Sequence, residues 1–276
     1  MVNRANRAYR VNTTNMKHAT MSMTESRSVI DLNADLGEGG TDDEAILACV
    51  SSVNIACGGH AGDAAAMHAA TAAAMKQGVA IGAHPSFPDR KNFGREEMSM
   101  PAEQLHAELF AQISALRKIV HAAGGRLVHV KPHGALYNMA ARDPALAQVV
   151  TKAIAHVDPA LRVVGLSGGQ LIRVAREQGL AVAEEVFADR RYDAQKNLVS
   201  RKHPDACIED LDEALRQVLL FVEQNKVQTM DGHILNISAD TICVHGDGKH
   251  ALALAQLIRE TLRQRQIKVR APGVQT

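Results

Sequence analysis

Short apolar runs alternate with longer amphipathic segments along the chain after residue 27. The short runs consist largely of Val, Ile, Leu and Ala and have the length of buried strands. In the longer segments, apolar residues recur at the spacing of one helix face. The predicted strands are 29–33, 53–56, 79–83, 127–131, 161–166, 180–187 and 241–245. The predicted helices are 42–50, 63–77, 102–123, 144–156, 169–178, 210–223 and 248–264.

Several predicted helices carry start and stop signals. Pro101 and Glu103 precede an apolar periodic segment that runs to a pair of glycines at 124–125, which predicts both ends of one helix. Asp143 and Pro144 supply the N-cap and first-turn residues that commonly begin the next one. The alternation of strands and helices therefore does not depend on apolar periodicity alone.

Seven strand–helix units in strict alternation predict a wholly parallel sheet. A chain of this length forms either a (β/α) barrel or a doubly wound open sheet. The open dinucleotide-binding sheet loses support because no GxGxxG follows a strand, and no GxxxxGK[ST] phosphate loop occurs. We therefore predict an α/β fold with a single domain over residues 28–276. Its expected architecture is a seven-stranded (β/α) barrel that departs from the eight-stranded TIM type.

Residues 1–27 differ in composition from the rest of the chain. They contain five Lys or Arg residues and one acid, Glu25, among Asn, Thr and Ser. The apolar stretch of a secretory signal is missing, although an organellar transit peptide has a similar composition. We interpret the segment as a disordered tail or as the product of a start codon placed too early.

Composition excludes several classes of function. The 31 Lys and Arg residues nearly balance the 30 Asp and Glu residues, so nothing favours nucleic acid or an anionic membrane as a partner. Aromatic residues make up 3% of the chain and Trp is absent, which does not suit a base-stacking surface. The four cysteines form no CxxC pair, which favours reduced thiols and a cytoplasmic location.

Polar side chains gather where the predicted strands end. Alternate residues of a strand share a face, and the carboxyl ends of barrel strands line the mouth where active sites form. Clustered charged groups are costly to bury without a use, so we predict an active site at this mouth. In chain order the residues are Asp31, Asn33, Asp35, Glu38, Asn54, His60, His84, His129, Lys131, His133, Glu185, Asp189, Arg190, His245 and Asp247.

These residue types suit general acid–base chemistry. Carboxylates beside neutral histidines act as base and acid once burial brings their pKa values toward neutrality. Lys131 can hold a substrate carboxylate or polarise a carbonyl. Catalysis by a Ser or Cys nucleophile is unsupported, because the chain has no GxSxG sequence and Cys57 does not begin a helix.

A divalent metal site is a second interpretation of the same residues. HEXXH is absent, and spacing alone does not fix a ligand set. Cys57 and His60 have no second ligand pair with matching spacing, so we interpret Cys57 as a buried small thiol. The candidate oxygen and imidazole ligands are Asp31, Asp35, His60, His84 and His245.

The Pro- and Gly-rich loop 83–95 follows the third strand. It is either a lid over the barrel mouth or an ordinary connection. As a lid, it would carry Arg95 to a phosphate or carboxylate of the substrate.

Six blocks of this sequence together resemble the LamB/YcsF family. They are DLNADLGEG (31–39), NIACGGHAGD (54–63), GAHPSFPDRKNFGR (82–95), HVKPHGALYN (129–138), EVFADRRY (185–192) and CVHGD (243–247). The blocks follow the family's order and span nearly all of the chain beyond the tail. One departure is Gly59, where the family more often has Phe, and we expect this change to loosen the pocket wall or alter substrate choice.

The resemblance implies a barrel related to polysaccharide deacetylases and the role of the A component of a prokaryotic 5-oxoprolinase. That enzyme cleaves 5-oxo-L-proline to L-glutamate with ATP as co-substrate and with subunits B and C as partners. Because this chain has no Walker loop, ATP must be held by other groups or mainly by a partner. The sequence leaves open whether the chain forms a homo-oligomer and whether it uses a divalent metal.

The strand ends and the resemblance together assign roles. Lys131 and Arg95 receive anionic groups, Asp35 or Asp189 activates water, and His133 or His245 donates a proton to nitrogen. Two alternatives remain, which are a metal-dependent deacylase and a non-catalytic substrate-binding subunit. The predicted catalytic residues are Asp31, Asn33, Asp35, His60, Lys131, His133, Asp189 and His245. The predicted substrate-binding residues are Glu38, Asn54, His84, Arg95, His129, Tyr137, Glu185, Arg190 and Asp247.

Overall fold

The computed structural model describes residues 28–40, 42–244 and 250–273. The predicted tail at 1–27 lies outside these ranges, as do His245 and Asp247. Over the described ranges, strands and helices alternate as the sequence predicts. The strands are β1 (Val29–Leu36), β2 (Ser52–Ala56), β3 (Ala80–His84), β4 (Leu127–Val130), β5 (Arg162–Leu166), β6 (Val182–Phe187), β7 (Lys226–Gln228), β8 (Ile234–Asn236), β9 (Thr241–Val244) and β10 (Lys268–Val269).

Seven parallel strands close into a barrel. Their order is β1-β2-β3-β4-β5-β6-β9, and β9 pairs with β1 to complete the ring. The closing register places Asp31 opposite Thr241 and Asn33 opposite Cys243. The predicted seven-stranded (β/α) barrel is therefore confirmed. The short strand β10 pairs with the beginning of β1, outside the ring.

The helices surround the barrel and supply its apolar core. Along β1, Leu32, Ala34 and Leu36 alternate with the polar residues and are almost fully buried in the apolar core cluster. The helices are α1 (Asp43–Leu47), α2 (Ala64–Gln77), α3 (Ala102–Ala122), α4 (Gly134–Arg142), α5 (Pro144–Val157), α6 (Gln170–Glu177), α7 (Leu211–Leu219) and α8 (Ala251–Gln264).

Local sequence explains where these helices begin. The Asp143 carboxylate accepts hydrogen bonds from the backbone N–H groups of Ala145 and Leu146, and Pro144 occupies the first turn of α5. Asp63 caps α2 by accepting from the N–H of Ala66. Among the described helices, none is both long and apolar enough to cross a membrane.

Five elements differ from the predicted set. Helix α4 is absent from the predicted set; it begins directly after His133 and buries Leu136 and Tyr137. Helix α7 ends in a π-helical turn (Leu220–Gln224) rather than continuing as one α-helix. The hairpin β7–β8 and the strand β10 are too short to show a clear alternation in sequence.

Candidate active site

The inward-facing residues of the barrel form layers of hydrogen-bonded polar groups. The lowest layer contains Asp31, whose carboxylate accepts from the hydroxyls of Ser51 at 2.6 Å, Ser52 at 2.8 Å and Thr241 at 2.6 Å. Burial raises the pKa of Asp31 to about 6, although the three hydroxyls oppose the shift. This layer lies at the amino ends of β2 and β9, away from the mouth.

The middle layer is an amide and imidazole network. The Asn33 Nδ2 donates to Glu185 Oε1 at 2.9 Å and to Thr241 Oγ1 at 2.7 Å. The Asn54 Nδ2 donates to Asn33 Oδ1 and to Asp35 Oδ1, both at 2.8 Å. These bonds fix the orientation of both amides across the barrel.

His129 completes the middle layer. Its Nε2 lies 2.8 Å from the Asn54 Oδ1, a pure acceptor, so Nε2 carries the proton. Burial and the nearby Lys131 charge lower the pKa of His129 to about 3, which keeps the ring neutral. A Cβ on Gly82 would lie 2.0 Å from this Nε2, so only glycine fits beside the ring.

Lys131 occupies the upper layer. Its Nζ lies 3.0 Å from Asp35 Oδ1, 2.9 Å from Glu185 Oε1 and 3.1 Å from Cys243 Sγ. Burial opposes the charged amine, but Asp35, Cys243 and Glu185 outweigh it and raise the pKa of Lys131 well above its usual value. The lysine is therefore a fixed cation between two carboxylates.

Three histidines and Glu38 meet at the mouth, just above Asp35. His60 Nε2 lies 2.9 Å from Glu38 Oε1, His133 Nδ1 lies 3.4 Å from it and His84 Nε2 lies 3.7 Å from it. The rings of His60 and His133 are stacked, with centroids 3.6 Å apart and planes 3° from parallel. We call these four residues the mouth cluster.

Backbone carbonyl groups orient two rings of the mouth cluster. His84 Nδ1 lies 2.7 Å from the Lys131 carbonyl oxygen, and His133 Nε2 lies 2.9 Å from that of Phe93. Burial and the neighbouring His84 and His60 charges lower the pKa of His133 well below its usual value. For His84, the Asp35 carboxylate outweighs burial and raises the pKa.

A cavity of about 580 Å³ opens above these layers. Asp35, Lys131 and three members of the mouth cluster, Glu38, His84 and His133, line its floor. Its outer wall is rich in cations, and acids of the same wall pair with some of them, as Glu97 does with Arg142 at 2.7 Å. The basic lining residues are Arg95, Arg142, Arg190, Arg201 and Lys202.

Three of the predicted substrate-binding residues, Arg95, Arg190 and Tyr137, line the cavity but differ in exposure and in hydrogen-bond partners. Arg95 is exposed on the wall, with its guanidinium carbon 4.8 Å from the centre of the Phe93 ring. Arg190 also lines the cavity but donates to the backbone carbonyls of Val199 and Ala206, so it holds the loop 190–207. Tyr137 lines it as a buried phenol, whose pKa is raised by burial and by Glu185.

Most of the predicted site residues therefore lie in one connected interior network, and Asp31 joins it only at the lowest layer. It lies in the lowest layer and does not line the cavity, because the shared face of a strand also extends to its opposite end. Asp189 is half-buried at the end of β6, where its charge acts on Cys243. His245 and Asp247 fall outside the described ranges, so their predicted roles stay predictions.

The predicted metal ligands are only partly brought together. Asp31 is remote from the mouth, and Asp35 pairs with Lys131 and approaches His84 Nε2 to 3.3 Å. Within the described part of the chain, the residues that could hold a metal ion are the mouth cluster, which adds Glu38 and His133 to the predicted His60 and His84. Both additions had been assigned other roles at the sequence level.

Sequence reasoning missed three contributors to the site. Cys243 touches Lys131, and its place on the inward face of β9 was the available signal. Thr241 joins the two lower layers. The carbonyl of Phe93 fixes His133, a contact across two loops that leaves no signal in the sequence.

Packing bears on the expectations for Cys57 and Gly59. Cys57 is buried, and burial raises the pKa of its thiol to about 12, which agrees with a structural rather than a nucleophilic role. The expectation that Gly59 loosens the pocket wall or alters substrate choice stays a prediction. A Cβ there would lie 2.5 Å from Ser86 Oγ and 2.7 Å from the Gln112 amide, so Gln112 occupies the space and Gly59 does not line the cavity.

Comparisons with known proteins show which family the chain belongs to. The LamB/YcsF family model matches residues 30–275. A crystal structure of a lactam utilization protein from Thermus thermophilus is 41% identical, with a TM-score of 0.82, over 88% of this chain and 99% of that chain. A family 4 carbohydrate esterase from Streptomyces lividans is 15% identical, with a TM-score of 0.47, over 88% of this chain and 92% of that chain. The esterase similarity is too low to support a conclusion about function. Because the family model and the Thermus protein both match most of its length, the chain belongs to the LamB/YcsF family.

Proposed function

We propose that this chain cleaves the amide bond of 5-oxo-L-proline, yielding L-glutamate, as the A component of an ATP-dependent 5-oxoprolinase in the cytoplasm. The observation that carries the proposal is the 41% identity to a lactam utilization protein, together with the polar cavity floor. 5-Oxoproline is a five-membered lactam, and the Thermus protein is described as a lactam utilization protein. Subunits B and C are its proposed partners.

A lactam resists attack by water because its amide is stabilised by resonance. Transfer of a phosphoryl group from ATP to the amide oxygen makes the carbon electrophilic and gives ADP. Water then adds to that carbon and the ring C–N bond breaks, which gives glutamyl phosphate. A second water hydrolyses this acyl phosphate to glutamate and inorganic phosphate. This scheme requires a base for water, a proton donor for nitrogen and cations for the phosphates.

The cavity supplies groups for each requirement. Asp35 lies on the floor and accepts from Asn54, so its carboxylate is held in position to activate water. The proposed proton donor to nitrogen is either His133, also on the floor, or His245. The basic wall, including Arg95, suits the carboxylate of 5-oxoproline and the phosphates of ATP.

Lys131 has a different part from the one expected. It was expected to receive an anionic group of the substrate, yet its amine already lies between Asp35 and Glu185. In the proposed reaction it is a positioning residue that holds the Asp35 carboxylate. Arg95 is left as the predicted anion-binding residue on the cavity wall.

The decisive experiment is reconstitution of the full chain with subunits B and C, followed by an assay of glutamate release from 5-oxoproline. We expect release that requires ATP and that falls at least about 100-fold in the Asp35→Asn variant. Asp205→Asn, at an exposed position, is the matched control. Full activity of Asp35→Asn would contradict a catalytic role for this cavity and favour a substrate-binding subunit.

A second candidate is a metal-dependent amidohydrolase. The mouth cluster favours it, because three imidazoles and a carboxylate are ligands typical of catalytic metal sites. Amide cleavage that proceeds without ATP but stops with a chelator would replace the first proposal by this one.

A further inference from the structure

Four of the six donor–donor separations within the mouth cluster lie near those of a metal coordination sphere. Four-coordinate zinc has bonds of about 2.0–2.1 Å to nitrogen and oxygen, which places neighbouring ligand atoms about 3.3 Å apart. Glu38 Oε1 lies 2.9 Å, 3.4 Å and 3.7 Å from the facing nitrogens of His60, His133 and His84. The His84 Nε2 and the His133 Nδ1 are 3.0 Å apart. All four donor atoms lie within 4.8 Å of one another.

Two rings of the mouth cluster, His84 and His133, donate hydrogen bonds to backbone carbonyls. These bonds decide which nitrogen of each ring carries a proton and which is left to face the centre of the cluster. A carbonyl oxygen only accepts, so His84 Nδ1 carries a proton for the Lys131 carbonyl, and His133 Nε2 carries one for that of Phe93. Nε2 of His84 and Nδ1 of His133 then face each other at 3.0 Å, and the Asp35 carboxylate lies 3.3 Å from the same His84 nitrogen. Two lone pairs that face each other at this distance need a cation between them, which is either a proton on His84 Nε2 or a metal ion.

The strand ends that carry the cluster are fixed before any ion arrives, and the His60 ring has to turn out of its parallel stack with His133 for both rings to face one ion. Its donors come from the ends of four successive strands, β1 to β4, which are fixed in the closed barrel. Phe93 packs edge-on against His60 and His133 with ring centroids 5.3 Å and 5.4 Å away. The carbonyl partners of His84 and His133 are the type of outer contact that orients metal-bound imidazoles.

We propose that Glu38, His60, His84 and His133 bind one divalent transition metal ion, with zinc as the reference ion. Three imidazoles and one carboxylate suit zinc and its first-row neighbours better than magnesium or calcium, which prefer oxygen ligands. Because Glu38, His84 and His133 also line the cavity, the ion faces the space where a substrate would lie.

This inference does not depend on the proposed reaction, since metal binding is measurable on the chain alone. The full chain is dialysed against EDTA, freed of the chelator and titrated with Zn²⁺ in a calorimeter, and bound zinc is counted by elemental analysis. We expect one ion per chain and a rise in the melting temperature. Titration with Co²⁺ is expected to give the intense visible absorption of a four-coordinate nitrogen–oxygen site.

Variants then locate the ion. Glu38→Gln and His133→Gln should each weaken zinc binding by at least about 100-fold. Two matched controls should bind like the original chain: Glu97→Gln, an exposed acid of the same cavity, and His156→Gln, a histidine of α5 outside the cavity. Circular dichroism checks that each variant is folded.

Two results would overturn the proposal. If the dialysed chain takes up no stoichiometric Zn²⁺ or Co²⁺, a proton shared between His84 and His133 is the cation that the cluster holds. If the cluster variants bind as tightly as the two controls, the ion lies elsewhere. Since both readouts use the original chain as well as variants, misfolding of one variant does not remove the test.

Discussion

The Lys131 amine lies 2.9 Å from the Glu185 carboxylate, and both groups are buried inside the barrel. Removing one partner of a buried ion pair leaves the other charge without compensation, which costs about 3–5 kcal/mol. Lys131→Met should therefore lower the free energy of unfolding by about that amount, although Met fills much of the same volume. Urea unfolding of the full chain measures the change.

The matched control for this variant is the double change Lys131→Met with Glu185→Gln. Neutralising the unpaired carboxylate should restore part of the lost stability, so the two effects should not add. Strict additivity of the single changes would contradict the ion pair as the source of the effect. Because removing Lys131 lowers stability, the activity of a Lys131→Ala chain has to be compared at equal amounts of folded protein.

The lowest layer of the barrel predicts a pH dependence of stability. Burial raises the pKa of Asp31 from 3.8 to about 6, so between these values the folded state binds more protons than the unfolded state. The free energy of unfolding should therefore fall as the pH rises from 4 through 6, by at most about 3 kcal/mol. Asp31→Asn removes this titration.

Urea unfolding at pH values from 4 to 8 tests the effect. The stability of Asp31→Asn relative to the original chain should increase with pH over this range. Asp205→Asn, an exposed change, should show a constant difference. A constant difference for Asp31→Asn as well would mean that its carboxylate titrates normally.

We predict that replacing Gly59 by Phe, the residue that is more common in the family, lowers the stability of the chain. A Cβ at this position would lie within 2.7 Å of the Gln112 amide, so Gly59→Phe should overpack the site and lower stability by about 1–3 kcal/mol. Thermal and urea unfolding measure this loss. Combining Gly59→Phe with Gln112→Ala makes room for the ring, so the double variant should be more stable than the sum of the single changes predicts. Simple additivity would show that Gln112 does not limit this space.

If the proposed reaction is right, Arg95 binds an anionic group of 5-oxoproline, and replacing it should weaken substrate binding. In the reconstituted enzyme, Arg95→Gln should raise KM for 5-oxoproline about tenfold, which corresponds to the loss of one charge-assisted hydrogen bond. The change in kcat should be smaller if the contact is made equally in the ground and transition states. Arg173→Gln, on the exposed face of α6, is the control. An unchanged KM would remove Arg95 from the substrate site.

The sequence allowed the barrel and the inward faces of its strands to be predicted, because alternation by two residues is a local property of a strand. The sequence did not show how far below the barrel mouth each inward-facing residue lies. Asp31 and Asp35 share a face of β1, yet four residues of strand separate them by about 13 Å, so one lies in the lowest layer and the other on the cavity floor. This difference explains why Asp31 was grouped with the site.

Contacts between loops and helices were also beyond sequence reasoning. Gln112 reaches Ser86 from the middle of α3, and the Phe93 carbonyl reaches His133 from a neighbouring loop. Neither residue has a periodic or spacing signal that points to its partner. The mouth cluster could be anticipated in its residue types, but the identity of its four members required the positions of the loops.

The pairing of Lys268 with Val29 brings the two ends of the described chain side by side at the floor of the barrel. The ring itself closes between β9 and β1, so its integrity does not depend on which strand comes first in the chain. The fold is thus suited to circular permutation. A short linker from Gly273 to Ser28, with new termini at the exposed turn between Pro159 and Ala160, would leave every strand of the ring uncut.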